Sequence, residues 1–210
     1  LIKKEVLEVA PMGVVGFHPS LLPNNRGRHP LIWAKALGLE KSGNTFFFMD
    51  EGADTGDILS QKSFEIKDED DASSLYKKMV ELAMIQIPEF YHLLKCGNYS
   101  RIPQDKNEGN TWRKRSIKDG LIDFRLSTQQ ICNLVRALTK PYVGAHIAID
   151  KNNYVVWKVE KGTIDNLINN FEPGKVLSVV ENKIEIKTGD GSIWLVNHEL
   201  KKLPKIGTYL

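Results

Sequence analysis

Short apolar runs separated by loops rich in glycine, proline and asparagine mark the first hundred residues. Gly13-Val-Val-Gly-Phe17 and Asn44-Thr-Phe-Phe-Phe-Met49 are apolar over the length of a buried strand, and Ile58 to Ile66 alternates as a third. Loops are expected over His18–Arg28 and Asp50–Asp57. Leu1 to Ala10 reads as the end of a helix, stopped by Pro11 and Gly13. Pro30 to Leu39 is predicted helical, with proline near the first turn, where a missing N–H breaks no bond. A longer helix is predicted from Asp71, a natural N-cap, to Lys95. Leu75, Met79, Leu82, Phe90 and Leu93 keep helical spacing along it, and Pro88 is expected to kink it.

Polarity rises from Asn98 to Phe124, through Gln104-Asp-Lys-Asn-Glu-Gly-Asn110 and Trp112-Arg-Lys-Arg115, and this stretch reads as an exposed connector. Thr128 to Leu138 then places Ile131, Leu134, Val135 and Leu138 on one side of a helix. The remainder carries short β-type runs at Ala145–Ile149, Tyr154–Val159, Val176–Val180, Ile184–Lys187 and Ile193–Val196. Asp150–Asn153 and Gly189-Asp-Gly191 supply turns between them. The expected organisation is an α/β domain over 1–97, a connector over 98–126 and a small β-barrel over 127–210.

Composition narrows the classes. With 210 residues and 41% hydrophobic positions the chain can bury a core, and disordered, collagen-like and coiled-coil classes are excluded. No apolar run approaches the ~18 residues of a membrane span, so no membrane association is expected. Cys96 and Cys132 make neither a disulfide framework nor a zinc site, which points to a reducing, cytoplasmic setting without a metal. A net charge of +3 is too mild to argue for nucleic acid. The chain begins at Leu1 without an initiator methionine, so a fragment or processed product is expected.

Two loops carry candidate chemistry. His18 ends a buried strand, at the kind of sheet edge where ligands bind in open α/β folds. Met49-Asp-Glu-Gly-Ala-Asp-Thr-Gly56 follows the next strand, with Asp54 set between two glycines that permit close backbone approach. Taken singly, these are a structural histidine and an acidic turn able to hold a cation. Taken together, on neighbouring strand ends, they make an acid–base pair. His29, His92, His146 and His198 show no metal-ligand spacing. Trp157 and Trp194, in apolar strands, read as core rather than base-stacking platforms; Trp112 lies in the connector.

His18-Pro-Ser-Leu-Leu-Pro-Asn-Asn-Arg-Gly27, Pro-Leu-Ile-Trp33 and Asp54-Thr-Gly56 together resemble the 10-formyltetrahydrofolate-dependent formyltransferases. The resemblance continues through Leu134-Val-Arg-Ala-Leu-Thr-Lys-Pro-Tyr-Val-Gly-Ala145, Glu172-Pro-Gly-Lys-Val176 and Thr188-Gly-Asp-Gly191. It implies part of a Rossmann-like domain followed by an OB-like barrel. Two departures stand out. Family members carry Asn-x-His, and the Asn position here is Gly16; that Asn donates to the developing oxyanion, and losing such a donor costs about 2.7–4 kcal/mol. A water, a backbone N–H, Asn24 or Asn25 could replace it, and Gly16→Asn is expected to raise the rate where the site has room. Family members also place several βα units ahead of the histidine strand, and these are expected to be missing here.

The resemblance implies amide-forming formyl transfer. An acceptor amine attacks the formyl carbon of 10-formyltetrahydrofolate, while His18 stabilises the oxyanion or relays the amine proton. Asp54 sets the charge of His18 and orients a water. The backbone of Met49, Asp50, Glu51, Gly52 and Ala53 would hold the pterin edge, no metal is needed, and Ser20 orders its loop. Arg26, Arg28, Arg113 and Arg115 form either a solvated basic surface or an anion site, since guanidinium forks suit phosphates. Their positions are similar to those of members acting on nucleotide-linked amino sugars, which is the leading expectation for the acceptor. Methionyl-tRNA formyltransferase is the alternative within the family, although the mild charge argues against a polyanion such as tRNA. Formyltetrahydrofolate hydrolysis and a non-catalytic relative are the alternatives outside it.

Overall fold

The computed structural model describes residues 2–105, 107–150, 152–162 and 170–210. Two compact units divide the chain. The first comprises Leu1–Ala34, Leu39–Lys67 and Ser74–Arg115, and the second Lys35–Gly38, Asp68–Ser73 and Ser116–Leu210.

Helix α1 (Lys4–Leu7) is a single turn, shorter than the run to Ala10 that its residues suggest. Strand β1 (Val15–His18), the two-residue strand β2 (Arg26–Gly27), helix α2 (Pro30–Ala36), β3 (Lys41–Phe48), β4 (Ile58–Glu65) and helix α3 (Ala72–Lys95) follow in order. β3 is buried along nearly all its length, because Phe46 and Phe48 fill one face of the sheet and Phe47 the other. The sheet order is β1-β3-β4, and both pairings are antiparallel. This sheet shows none of the parallel strands typical of a Rossmann-like domain, of which the chain is expected to hold only part. An apolar run states that a strand is buried, but not which way its neighbour points.

Helix α3 runs through Pro88 and lies against this sheet. Asn44 Nδ2 donates to the Met79 carbonyl at 2.7 Å, and the Phe46 and Phe90 rings meet at 4.8 Å between centroids. Gln86 Nε2 donates to Ser60 Oγ at 3.1 Å. The side-chain oxygens of Asn44 and Gln86 are buried without a hydrogen-bond partner among the described residues. Under the other face, Leu22, Phe47 and Ile58 cluster with Met49 packed against them.

The stretch read as a connector does not stand apart up to Arg115. Its strand β5 (Thr111–Trp112) pairs in parallel with β2, and Gln104 is buried.

In the second unit, helix α4 (Thr128–Leu138) has the predicted bounds. Ser127 caps it, accepting from the Gln130 N–H while the Gln130 side chain accepts from the Ser127 N–H, a reciprocal capping box. Strands β6 (Ala145–Ile149), β7 (Asn152–Lys161), β8 (Val176–Val180), β9 (Lys183–Lys187) and β10 (Ser192–His198) pair in the order β6-β7-β10-β9-β8, all antiparallel. β6 and β8 form opposite edges and do not pair, so the expected closed barrel is an open five-stranded sheet among the described residues. Val176 bonds instead to Thr208 and Gly207 of the last segment, which caps the β8 edge. Ile184, Ile186, Ile193 and Leu195 are fully buried in this sheet. No described helix is long and apolar enough to cross a membrane.

Candidate active site

His18 and Asp54 come together, though not by the route the sequence suggests. The antiparallel register sets His18 opposite Thr45, three positions before the end of β3, so the ends of β1 and β3 are not neighbours. The loop after β3 must fold back to reach the histidine. Phe48 N–H donates to the Asp57 carbonyl at 2.8 Å, closing the loop at its base. A side chain at Gly56 would strike the Phe48 carbonyl, so only glycine fits that closure. At the far end, Asp54 takes a left-handed backbone with φ of 60°, which aspartate tolerates better than most residues.

Asp54 Oδ2 lies 3.5 Å from His18 Nδ1 and accepts from the Gly27 N–H at 2.9 Å. The other ring nitrogen, Nε2, is 2.8 Å from the Asn25 carbonyl. A carbonyl and a carboxylate only accept, so each ring nitrogen faces an acceptor. The histidine side chain is 6% exposed and the aspartate 22%, so the ring is buried while the carboxylate stays partly open. Ser20 is buried and donates to the Asn24 carbonyl at 2.9 Å, a loop-ordering bond rather than a nucleophile's arrangement.

Arg26 has a different place from the anion-binding one. It is 6% exposed, and its guanidinium donates to Gln104 Oε1 at 2.9 and 3.3 Å, to the Glu108 carbonyl at 3.0 Å and to the Asp54 carbonyl at 3.3 Å. It is a buried cross-link. Arg28 and Arg113 are exposed and Arg115 is half-buried. The guanidinium carbons of Arg113 and Arg115 stand 5.3 and 4.4 Å from the centre of the Trp33 ring, whose Nε1 donates to the Arg113 carbonyl at 3.1 Å. Trp112 is 6.4 Å from Trp33. His29 sits in the same cluster, its pKa lowered by burial and then by the charges of Arg115, Arg28 and Lys114.

In the expected pterin-binding segment, the partly buried Met49 side chain packs against the apolar cluster. Asp50 Oδ1 accepts from Gly52 N–H at 3.0 Å and Thr55 Oγ1 at 2.7 Å, and this turn leaves Glu51, Gly52 and Ala53 exposed. Gly16 faces the same cluster. A Cβ there would lie 2.9 Å from Met49 Cγ and 3.0 Å from Phe47 Cζ, so Gly16→Asn requires these side chains to shift. Asn25, one candidate replacement donor, already gives its backbone N–H to Asn110 Oδ1 at 2.9 Å.

Sequence reasoning missed Gln104 and Asn110. Both lie in a polar stretch whose composition signals exposure, and long-range pairings, Ile58 with Ile102 and β2 with β5, bring them to the site.

A family model of formyl transferase matches residues 1–90, and one of the formyl transferase C-terminal domain matches residues 115–208. Among solved structures, HypX from Aquifex aeolicus in complex with tetrahydrofolic acid is 22% identical, with a TM-score of 0.68 over 90% of this chain and 32% of its own. An N-formyltransferase from Helicobacter canadensis in complex with folinic acid and dTDP-3-aminofucose is 23% identical, with a TM-score of 0.67 over 87% of this chain and 65% of its own. A 4-N formyltransferase from Francisella tularensis is 22% identical, with a TM-score of 0.62 over 73% and 64%. The chain thus spans about a third of the HypX protein, and these likenesses show a shared fold. With both family models matched in order along the chain, and a histidine–aspartate pair assembled between its first strand and the loop after β3, the protein belongs to the formyl transferase family.

Proposed function

We propose that the protein moves a formyl group from 10-formyltetrahydrofolate to the amine of a nucleotide-linked amino sugar. The observation that carries this reading is the contact between His18 Nδ1 and Asp54 Oδ2 at 3.5 Å. The folate supplies the activated formyl group. As the acceptor nitrogen bonds to the formyl carbon, the bond to N10 breaks, the amine gives up a proton and N10 gains one. Negative charge grows meanwhile on the formyl oxygen, and a protonated His18 stabilises it. In the present arrangement that oxygen competes with the Asn25 carbonyl for the Nε2 proton. Asp54 keeps the ring oriented and compensates its charge, which is how a carboxylate makes a histidine serve as acid and base.

The exposed backbone of Glu51–Ala53 suits the edge of a flat, hydrogen-bonding pterin. The acceptor is argued from charge. Arg113 and Arg115 stand against Trp33 and the charge of Arg28 reaches neighbouring His29, an arrangement matched to one diphosphate and a base rather than to the broad basic face tRNA needs. Binding of dTDP-3-aminofucose by the Helicobacter relative supports the same reading. Arg28→Ala or Arg115→Ala is expected to weaken an amino-sugar nucleotide by about one to two decades, each charged hydrogen bond being worth about 1.5–3 kcal/mol. Affinity should fall only shallowly between about 50 and 200 mM salt. Tight binding of initiator tRNA with a steep salt slope, and none of any amino-sugar nucleotide, would overturn the acceptor assignment.

A further inference from the structure

Asp54 holds a left-handed backbone at the tip of a returning loop, a conformation that persists only where its surroundings fix it. Its carbonyl receives two side-chain donors, Gln104 Nε2 at 3.0 Å and Arg26 Nε at 3.3 Å. Gln104 Nε2 also donates to the Gly56 carbonyl at 2.7 Å, so one amide group grips the loop on both sides of Thr55. The amide oxygen of Gln104 is fixed in turn by the Arg26 fork, at 2.9 and 3.3 Å. Both side chains are less than a tenth exposed, so these bonds meet little competition from water.

We infer that Gln104 is a positioning residue for the reaction: its amide locks the Asp54–Gly56 backbone so that the Asp54 carboxylate meets His18 and the Gly27 N–H. The inference rests on the formyl-transfer reading above, and it extends the site into a segment whose sequence reads as linker. The chemistry requires an amide specifically. Its NH2 end serves two carbonyls while its oxygen serves a guanidinium, and neither a carboxylate nor a thioether does both. The described hydrogen bonds of the Gln104 side chain go to the loop carbonyls and to Arg26, not to the histidine ring, so it acts through Asp54.

The test compares Gln104→Glu and Gln104→Met with the wild-type protein. Glutamate keeps an acceptor for Arg26 but sets oxygen against the two carbonyls, whereas methionine removes every polar contact at similar size. Each is expected to lower kcat by about tenfold to a hundredfold, the scale of a 1 Å misplacement, with KM for 10-formyltetrahydrofolate changed less than about threefold. In an Asp54→Asn background the same substitutions should change kcat less than about twofold, because the group they position no longer acts. A readout independent of turnover is amide exchange of Gly27, whose N–H is held by Asp54 Oδ2. It should speed up at least about tenfold in Gln104→Glu while the amides of Phe46 and Phe47 in β3 do not change. An unchanged Gly27 rate would overturn the inference. So would full kcat in Gln104→Glu, or equal losses with and without Asp54. A wild-type protein that transfers no formyl group would refute the proposed function instead, and the Gly27 exchange would still decide whether Gln104 positions Asp54.

Discussion

Gly16 stands where relatives of this type are expected to carry an oxyanion-binding asparagine, and restoring that residue has a calculable cost. Gly16 lies in β1 opposite Phe47, on the face it shares with His18. Its φ lies outside the left-handed range, so any residue fits the backbone, and replacing a strand glycine returns about 0.5–1 kcal/mol of chain entropy. Crowding acts against that gain. The new Cβ would meet Met49 Cγ at 2.9 Å, closer than real Cβ contacts settle, and the Phe47 ring edge at a tight 3.0 and 3.1 Å. Overpacking of this kind costs about 1–3 kcal/mol, which leaves Gly16→Asn between about equal to wild type and about 2.5 kcal/mol less stable. Met49 also begins the loop that carries Asp54, so moving it disturbs the site and the formyl-transfer rate should not rise. Met49→Ala removes the first obstacle. In that background Gly16→Asn should cost at least about 1 kcal/mol less, a coupling readable by urea denaturation of the four proteins of a double-mutant cycle. The rate should rise only in the double variant, where the amide can share the face of His18. Equal costs in both backgrounds, or a faster single variant, would refute this packing argument.

Other consequences are separable from the site. Gln86 is buried with its oxygen unpartnered, so Gln86→Met should change stability by less than about 1 kcal/mol, whereas Leu75→Ala, at a fully buried position on the same helix, should cost about 2–5 kcal/mol; thermal or urea unfolding compares them. Asp190 accepts from the Thr128 N–H at 2.7 Å, and this bond to the start of α4 holds its carboxyl below the ordinary carboxylate value. A carboxylate depressed in the folded state contributes stability that is present above its unfolded pKa of about 3.9 and lost as pH falls through the folded value. Melting temperatures from about pH 6 down to pH 2 should therefore fall less steeply for Asp190→Asn than for wild type. Parallel acid limbs would contradict the assignment.

Local signals were read well and long-range ones were not. Helix α4 has the predicted bounds because Ser127 and Gln130 cap it and its apolar positions repeat with the helical period. The buried run Phe46–Phe48 announced a strand, but antiparallel pairing is a tertiary fact, and it moved His18 away from the strand end expected to neighbour it. Asp54 still reached the histidine, because Gly56 allows the loop to close and fold back. Arg26 looked like an exposed fork beside a glycine. Its acceptor lies 78 residues further on, in a stretch polar enough to pass for linker but anchored by the Ile58–Ile102 bridge and the β2–β5 pairing. The barrel expectation erred in the same way: five short strands fix the sheet's composition, while closure depends on edges that no local pattern records.

The central claim is that His18 and Asp54 act together in formyl transfer, and one assay bears on it directly. The protein is supplied with 10-formyltetrahydrofolate and an amino-sugar nucleotide, and both tetrahydrofolate and N-formylated sugar nucleotide are followed over time. Wild type should release the two in equal amounts. His18→Ala and Asp54→Ala, still folded by circular dichroism, should each lose about a hundredfold or more, the scale of general acid–base catalysis. Either variant within tenfold of wild type would contradict the account, as would tetrahydrofolate released at the same rate without any formylated amine, the signature of a hydrolase.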